Sequence, residues 1–196
     1  MAFDKKLEFD FDCEHWEEND EECCYNLFKK AYHLACTVHS GQTRDEGSPY
    51  ITHIDGVIDI LQNELQDYNL GKWIIATLHD VLEDSDLTCE DLREMFCEMV
   101  SDYVSILTKD EGQSTDDYIQ RMRDHEDSRF IIEVKLADRL HNVRSLKYIL
   151  NTNPNKVQRY IEETEVYYVP LAKEFQPKFY NKLTFELEYI KGLLVN

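Results

Sequence analysis

Ionisable side chains interrupt the most apolar stretches of this sequence at two places. The first is the run L-H-D-V-L-E-D at 78–84, which sets His79, Asp80, Glu83 and Asp84 among Leu78, Val81 and Leu82. Read as part of one helix over 71–84, adjacent residues lie about 100° apart, and Glu83 and Asp84 fall one turn beyond His79 and Asp80. Four ionisable groups in apolar company are costly to bury unpaired, and a divalent cation is the natural partner. The second place is K-L-A-D-R-L-H-N-V-R at 135–144, where Asp138 and Asn142 share a helix face with Leu136, Leu140 and Val143 around them. Asp138 needs a partner there. Arg139 and Arg144 are near in sequence, and metal ligation serves equally well. With His53, which follows a P-Y-I-T turn, the set becomes two imidazoles and two carboxylates: His53, His79, Asp80 and Asp138. Such mixed ligands suit Mn, Fe or a catalytic Zn, with positions left for water and substrate.

A bare His-Asp pair carries little information in a chain with 40 acidic residues. The mid-helix setting and the acid pair behind it carry the reading; without them Glu83 and Asp84 are a solvated helix end before Ser85. The remaining histidines have blander roles. His33 reads as a packing residue on a helix face, His15 and His125 as solvated, His39 as a brace beside the site, and His141 as turned away from Asp138. Met95, Met99 and Met122 read as core, and Lys109 as a surface lysine at the start of a polar loop.

The elements that must position these groups are helical. The chain has 196 residues, 42% of them hydrophobic and 12% aromatic, which fits one ordinary domain rather than a disordered acidic tail. Its 21 basic and 40 acidic residues give a net charge of −19, which argues against general binding to nucleic acid or an anionic membrane. No apolar window is long enough to span a bilayer and the N-terminus lacks a signal-like stretch, so the expected location is the cytoplasm. Six cysteines without a C-x-x-C pair exclude an ordinary structural zinc site and read as reduced thiols, several of them core-filling.

Residues 1–22 hold ten acids against two lysines, so 1–20 reads as an acidic N-terminal extension and 21–196 as the domain. From residue 21 onward, apolar residues recur at three and four, as in Leu27, Ala31, Leu34 and Val38. The pattern predicts helices over about 21–40, 53–67, 71–84, 89–97, 98–108, 127–150, 155–175 (broken or bent near Pro170) and 178–193. Thr88 with Asp91 resembles a capping box. D-E-G-Q-S-T-D-D at 110–117 reads as a mobile polar loop. The expected fold is an all-α, single-domain bundle of eight or nine helices.

Three segments in order, H-S-G-Q-T-R-D-E-G-S-P-Y-I-T-H (39–53), L-H-D-V-L-E-D (78–84) and V-K-L-A-D-R-L-H-N-V-R-S-L (134–146), resemble the hydrolase domain of the RelA/SpoT alarmone enzymes. E-T-E-V-Y-Y-V-P-L-A (163–172) resembles the helix that follows in the same enzymes. The likeness covers roughly residues 25–190 and places the chain in the HD phosphohydrolase superfamily. It implies an HD-type helical bundle and a Mn²⁺-dependent pyrophosphohydrolase, or one using another divalent metal, that removes the 3′-diphosphate of guanosine tetra- or pentaphosphate. By motif, His53, His79, Asp80 and Asp138 become the metal ligands, and Glu83 and Asp84 the pair that positions and deprotonates water. Arg44, Asn142 and Ser145 become the nucleotide contacts. The chain is too short for the family's synthetase domain, which points to a stand-alone small alarmone hydrolase. After Arg44 the family usually carries a second basic residue, whereas Asp45 and Glu46 stand here. That departure keeps two alternatives in play: hydrolysis of another nucleotide, such as NADPH or a deoxynucleotide, and non-catalytic nucleotide binding.

Overall fold

A computed structural model describes residues 21–194, and all of its regular structure there is helical. The acidic extension over 1–20 lies outside the described residues, as does His15. Ten α-helical segments follow one another: α1 (Glu21–Val38), α2 (Ile51–Asp59), α3 (Leu70–Leu78), α4 (Cys89–Met95), α5 (Glu98–Leu107), α6 (Thr115–Asp124), α7 (Ser128–Ser145), α8 (Pro154–Glu163), α9 (Val169–Phe175) and α10 (Pro177–Leu194). A π-turn over Thr164–Tyr168 joins α8 to α9 as one bent helix, so the described residues form nine helical bodies, as the periodicity requires. No helix among them is long and apolar enough to cross a membrane.

Helix α7 is the centre. It packs against α2, α3, α5, α6, α9 and α10, while α1 lies on α3. Its apolar side chains Ile131, Ile132, Val134, Leu136, Ala137, Leu140 and Val143 are buried on all sides, as expected of a helix inside a bundle. Three charged residues of α7 are buried with them, and each has partners. Glu133 meets Lys72, Arg129 (3.1 Å) and Gln176 (3.0 Å). Arg139 lies between the rings of Tyr160 and Tyr168, and donates to Glu163 (2.8 Å) and Thr164 (2.8 Å). Asp138 belongs to the site described below. At the far end of α7, Arg144 and Lys182 both reach Glu64, in the π-turn that follows α2, and Arg144 also reaches Glu186 on α10 (2.9 Å).

Four expectations about this scaffold are corrected. The helix expected over 71–84 stops at Leu78, and residues 79–86 form turns. Side chains there take up backbone groups that a longer helix would need: His79 Nδ1 pairs with Ala76 O (2.7 Å) and Ser85 Oγ donates to Val81 O. The polar loop expected at 110–117 turns helical from Thr115, because Ser114 accepts the Asp117 amide and caps α6, with Asp116 and Asp117 in its first turn. No described cysteine is fully buried: Cys36 and Cys89 are exposed, and Cys24 and Cys97 half-buried, with Cys97 packed against the edge of the core. His33 is exposed rather than packed. The capping box at the start of α4 is present as expected, with Thr88 and Asp91 bonded reciprocally.

Candidate metal and catalytic site

Four pieces of chain meet beside α7. The loop between α1 and α2 turns back on itself through a bridge between Thr43 and Pro49. Gly47, at φ +89°, closes the tight turn in which its amide reaches Arg44 O (2.8 Å). That turn holds Arg44 out toward α7 and delivers Tyr50 and His53 at the start of α2. The end of α3 delivers His79, which is its C-terminal cap, and the turns behind it carry Asp80, Glu83 and Asp84. Helix α7 delivers Asp138, Asn142 and Ser145.

The two imidazoles face each other, with Nε2 of His53 and of His79 3.3 Å apart. His79 Nε2 lies 2.9 Å from Asp80 Oδ2, and Asp138 Oδ1 lies 3.3 Å from His53 Nε2 and 3.8 Å from His79 Nε2. One donor atom each from His53, His79 and Asp80 falls within 4.8 Å of the other two. Burial opposes charge on His79, yet the Asp80 and Asp138 carboxylates outweigh it and push its pKa up to about 10. Burial works against ionised Asp80 and Asp138 as well. His79 holds Asp80 low, while Lys135 and both imidazoles hold Asp138 well below the usual carboxylate range. A pocket whose field draws in positive charge through two nitrogens and two carboxylates suits a divalent cation. Both His79 Nδ1, on Ala76 O, and His53 Nδ1 are occupied on the side away from the carboxylates, so Nε2 of each ring faces the shared space.

The arginines that could have neutralised Asp138 point elsewhere, Arg139 to Glu163 and Arg144 to Glu64 and Glu186. Asp138 instead takes Lys135 Nζ (2.8 Å) on Oδ2 and the Asn142 amide (2.5 Å) on Oδ1. Sequence reasoning missed Lys135. Its i,i+3 spacing from Asp138 was the available signal. It also passed over Tyr50, whose hydroxyl donates to Asp80 and whose ring stacks on His39 at 4.4 Å.

Glu83 and Asp84 flank this centre. Glu83 Oε1 accepts the Lys109 backbone amide (3.0 Å), and Asp84 Oδ2 lies 3.3 Å from His39 Nδ1. Burial raises the pKa of both carboxyls, and the nearby Asp80 charge adds to it. His39 is the brace expected of it, tied to Gln42 (2.8 Å), Asp84 and Tyr50. Lys109 is anchored rather than loose, its Nζ on Thr115 Oγ1 (3.0 Å). His141 does turn from Asp138, and the turn aims it at His53: the two Nδ1 atoms are 2.8 Å apart.

The nucleotide contacts expected from the motifs also come together. Arg44 Nη2 donates to Asn142 Oδ1 (2.6 Å) and Ser145 Oγ (3.1 Å). They border a cleft of about 240 Å³ whose lining includes Asp45, Glu46 and Lys156. Both acids therefore line the cleft, and both are engaged: Asp45 pairs with Lys156 (2.5 Å), and Glu46 accepts from Ser48 (2.9 Å) with Arg44 Nε 3.9 Å away.

Residues 31–175 match the HD domain family. The chain is 37% identical over 153 residues to the bifunctional (p)ppGpp synthase/hydrolase SpoT of Escherichia coli (strain K12), covering 74% of this chain and 21% of that protein. It is 34% identical over 167 residues to a GTP pyrophosphokinase of Streptomyces coelicolor, covering 82% and 19%. It thus spans about a fifth of the length of these curated relatives. A solved structure, described as a metazoan ortholog of SpoT that hydrolyzes ppGpp and plays a role in starvation responses, superposes with a TM-score of 0.70 at 26% identity, over 86% of this chain and 97% of that one. With the family match spanning the loop, both central helices and the bent helix beyond them, the chain belongs to the HD domain family.

Proposed function

We propose that the protein is a Mn²⁺-dependent 3′-pyrophosphohydrolase of guanosine 3′,5′-bis(diphosphate) and its pentaphosphate relative, working in the cytoplasm. The observation that carries this is the hydrogen-bonded line from Arg44 through Asn142 to Asp138. It joins a cleft of about 240 Å³ to a cluster of imidazoles and carboxylates. Relatives named guanosine-3′,5′-bis(diphosphate) 3′-pyrophosphohydrolase support the substrate.

His53, His79, Asp80 and Asp138 would hold the cation. When bound it supplies Lewis acidity toward water and toward a phosphoryl oxygen. The chain's own groups do the rest. The Lys109 backbone amide occupies Glu83 Oε1, which leaves Oε2 to take the proton of the attacking water, and burial, by raising the Glu83 pKa, makes it a stronger base than an exposed glutamate. Asp84, steadied by His39, orients the same water. Attack at the phosphorus next to the 3′ oxygen breaks that P–O bond and releases pyrophosphate, and the 3′ oxygen leaves as a hydroxyl. Arg44, Asn142 and Ser145 face the nucleoside side of the cleft and fix the substrate's register.

One observation favours a second reading. Asp45 and Glu46 beside Arg44 lower the positive charge available to a polyphosphate, so a nucleotide with fewer phosphates there, such as NADPH or a deoxynucleotide, is the alternative. A single assay separates them. The purified chain with Mn²⁺ is incubated with guanosine polyphosphates, NADPH and deoxynucleotides, and phosphate and pyrophosphate are measured separately. Pyrophosphate from the guanosine polyphosphates is the expected result. No product from any substrate, with metal bound, leaves only a nucleotide-binding protein.

A further inference from the structure

Helix α2 carries a glycine in its interior, Gly56, where alanine is the better helix former. The reason lies across the interface with α7. A Cβ built at Gly56 would stand 2.2 Å from both Cδ2 and Nε2 of His141. The His141 ring therefore occupies the space that any other residue at 56 would fill, and its Nδ1 is left 2.8 Å from Nδ1 of His53. The two rings meet edge-on, with centroids 4.8 Å apart and planes at 62°. On its other side, His53 presents Nε2 to Asp138 Oδ1 and to Nε2 of His79. His53 is fully buried, so water does not substitute for a lost partner at Nδ1.

We propose that His141 is a positioning residue that fixes the orientation and tautomer of His53, and that Gly56 is the gap in α2 that admits it. The proposal rests on His53 being a metal ligand. For Nε2 of His53 to offer its lone pair to a cation, the ring proton must sit on Nδ1. The group facing Nδ1 must then accept it, and that group is Nδ1 of His141. A ligating imidazole whose second nitrogen is held in this way keeps one tautomer and one ring plane, and loss of such a partner typically weakens metal affinity 10–100-fold. Here the partner is a second imidazole, not the usual carboxylate or carbonyl, and it is seated by the absence of a side chain on the facing helix.

The test uses the full chain and the metal alone. Mn²⁺ is titrated calorimetrically into metal-free wild type, His141→Asn, His141→Phe and Gly56→Ala, with thermal melting of each metal-free protein alongside. Asn keeps an acceptor near the position of Nδ1, whereas Phe keeps the ring volume and removes the acceptor. His141→Phe and Gly56→Ala are expected to weaken Mn²⁺ binding about 10–100-fold, each with a lowered melting temperature of the metal-free protein that still leaves it folded at the titration temperature, and His141→Asn to stay within about threefold of wild type. Equal affinity of His141→Phe and wild type overturns the proposal, and so does an Asn variant as weak as the Phe variant. Should His141→Phe fail to fold, the wild type decides alone. Long-range ¹⁵N–¹H correlation of the wild type loaded with diamagnetic Zn²⁺, assigned with a His53 variant, must show the His53 proton on Nδ1; a proton on Nε2 with the cation bound refutes the contact. A wild type that takes up neither cation overturns the metal site itself, whereas uptake by the wild type with equal affinity in His141→Phe overturns the role of His141 alone.

Discussion

Arg44 and Asn142, 98 positions apart in the chain, are joined by a 2.6 Å hydrogen bond, and the same Asn142 side chain donates to Asp138. One amide therefore ties the cleft to the cation cluster. Asn142→Ala removes both bonds. Since hydrogen bonds to charged groups contribute about 1.5–3 kcal/mol, the variant should raise KM for guanosine bis(diphosphate) roughly tenfold to a hundredfold. Steady-state kinetics at saturating Mn²⁺ checks this; an unchanged KM removes Asn142 from substrate recognition.

Asp80 and Glu83 should separate binding from chemistry. Asp80→Ala is expected to lose both Mn²⁺ retention and turnover. Glu83→Gln should retain the metal and lose about 10²–10⁴-fold in kcat, the usual range for a positioned base. Metal content by elemental analysis and turnover, measured on the same samples, decide the assignment. An active Asp80→Ala protein would show that the ligand set is wrong.

The pH profile follows from Glu83. Burial raises its pKa above the ordinary glutamate value, and a base must be deprotonated to work. Activity should therefore fall on acidification, about tenfold per pH unit below that raised pKa, starting at a higher pH than an exposed glutamate would give. In Glu83→Gln the residual rate should lack this acid limb. Measuring kcat/KM from pH 5 to 9 for both proteins provides the comparison.

Stability should carry a different pH signature. Arg144 and Lys182 hold Glu64 down to a pKa of about 2 in the folded chain, against an ordinary 4.5. A depressed carboxyl contributes stability above its unfolded pKa and loses it as pH falls toward the folded one. Glu64→Gln should then lower Tm by about 2–4 °C at pH 7, with the difference shrinking between pH 4.5 and 2. Melting curves across that window test it.

The Asp45–Lys156 pair offers a gain of affinity. Both side chains are about half exposed, so the pair itself adds little stability. Asp45→Asn leaves Lys156 free to meet a phosphate. A fall in KM of about two- to fivefold at low salt, diminishing as salt is raised, is the expected outcome. If KM is indifferent to the substitution, Lys156 does not contact substrate.

Much of this architecture was legible in the sequence, for identifiable reasons. Apolar spacing marked the helices because burial in a bundle repeats every 3.6 residues, and Thr88 with Asp91 announced a helix start through their side chains. His79, Asp80 and Asp138 stood out because polar groups inside apolar runs need a partner, and His53 joined them as the imidazole after the P-Y-I-T turn. The stop at Leu78 was hidden, since Val81 and Leu82 continue the apolar rhythm while His79 and Ser85 divert the backbone bonds. Helix α6 was missed because half of its residues are charged and only Tyr118, Ile119 and Met122 are buried. Lys135 and the His53–His141 contact depend on how α2 and α7 pack, and no spacing within one helix encodes that.

The early end of α3 has an electrostatic consequence. Aligned peptide dipoles leave a partial negative charge at the carboxyl end of a helix, confined to its last turn. His79 is the cap of that turn, so the carbonyl end of α3 abuts the cation cluster. Had the helix continued through Asp84, as the residue pattern suggests, the same partial charge would lie more than a turn away, beyond the acid pair. By stopping at Leu78, the backbone itself adds to the field that attracts a cation, and this contribution has no side chain to mutate.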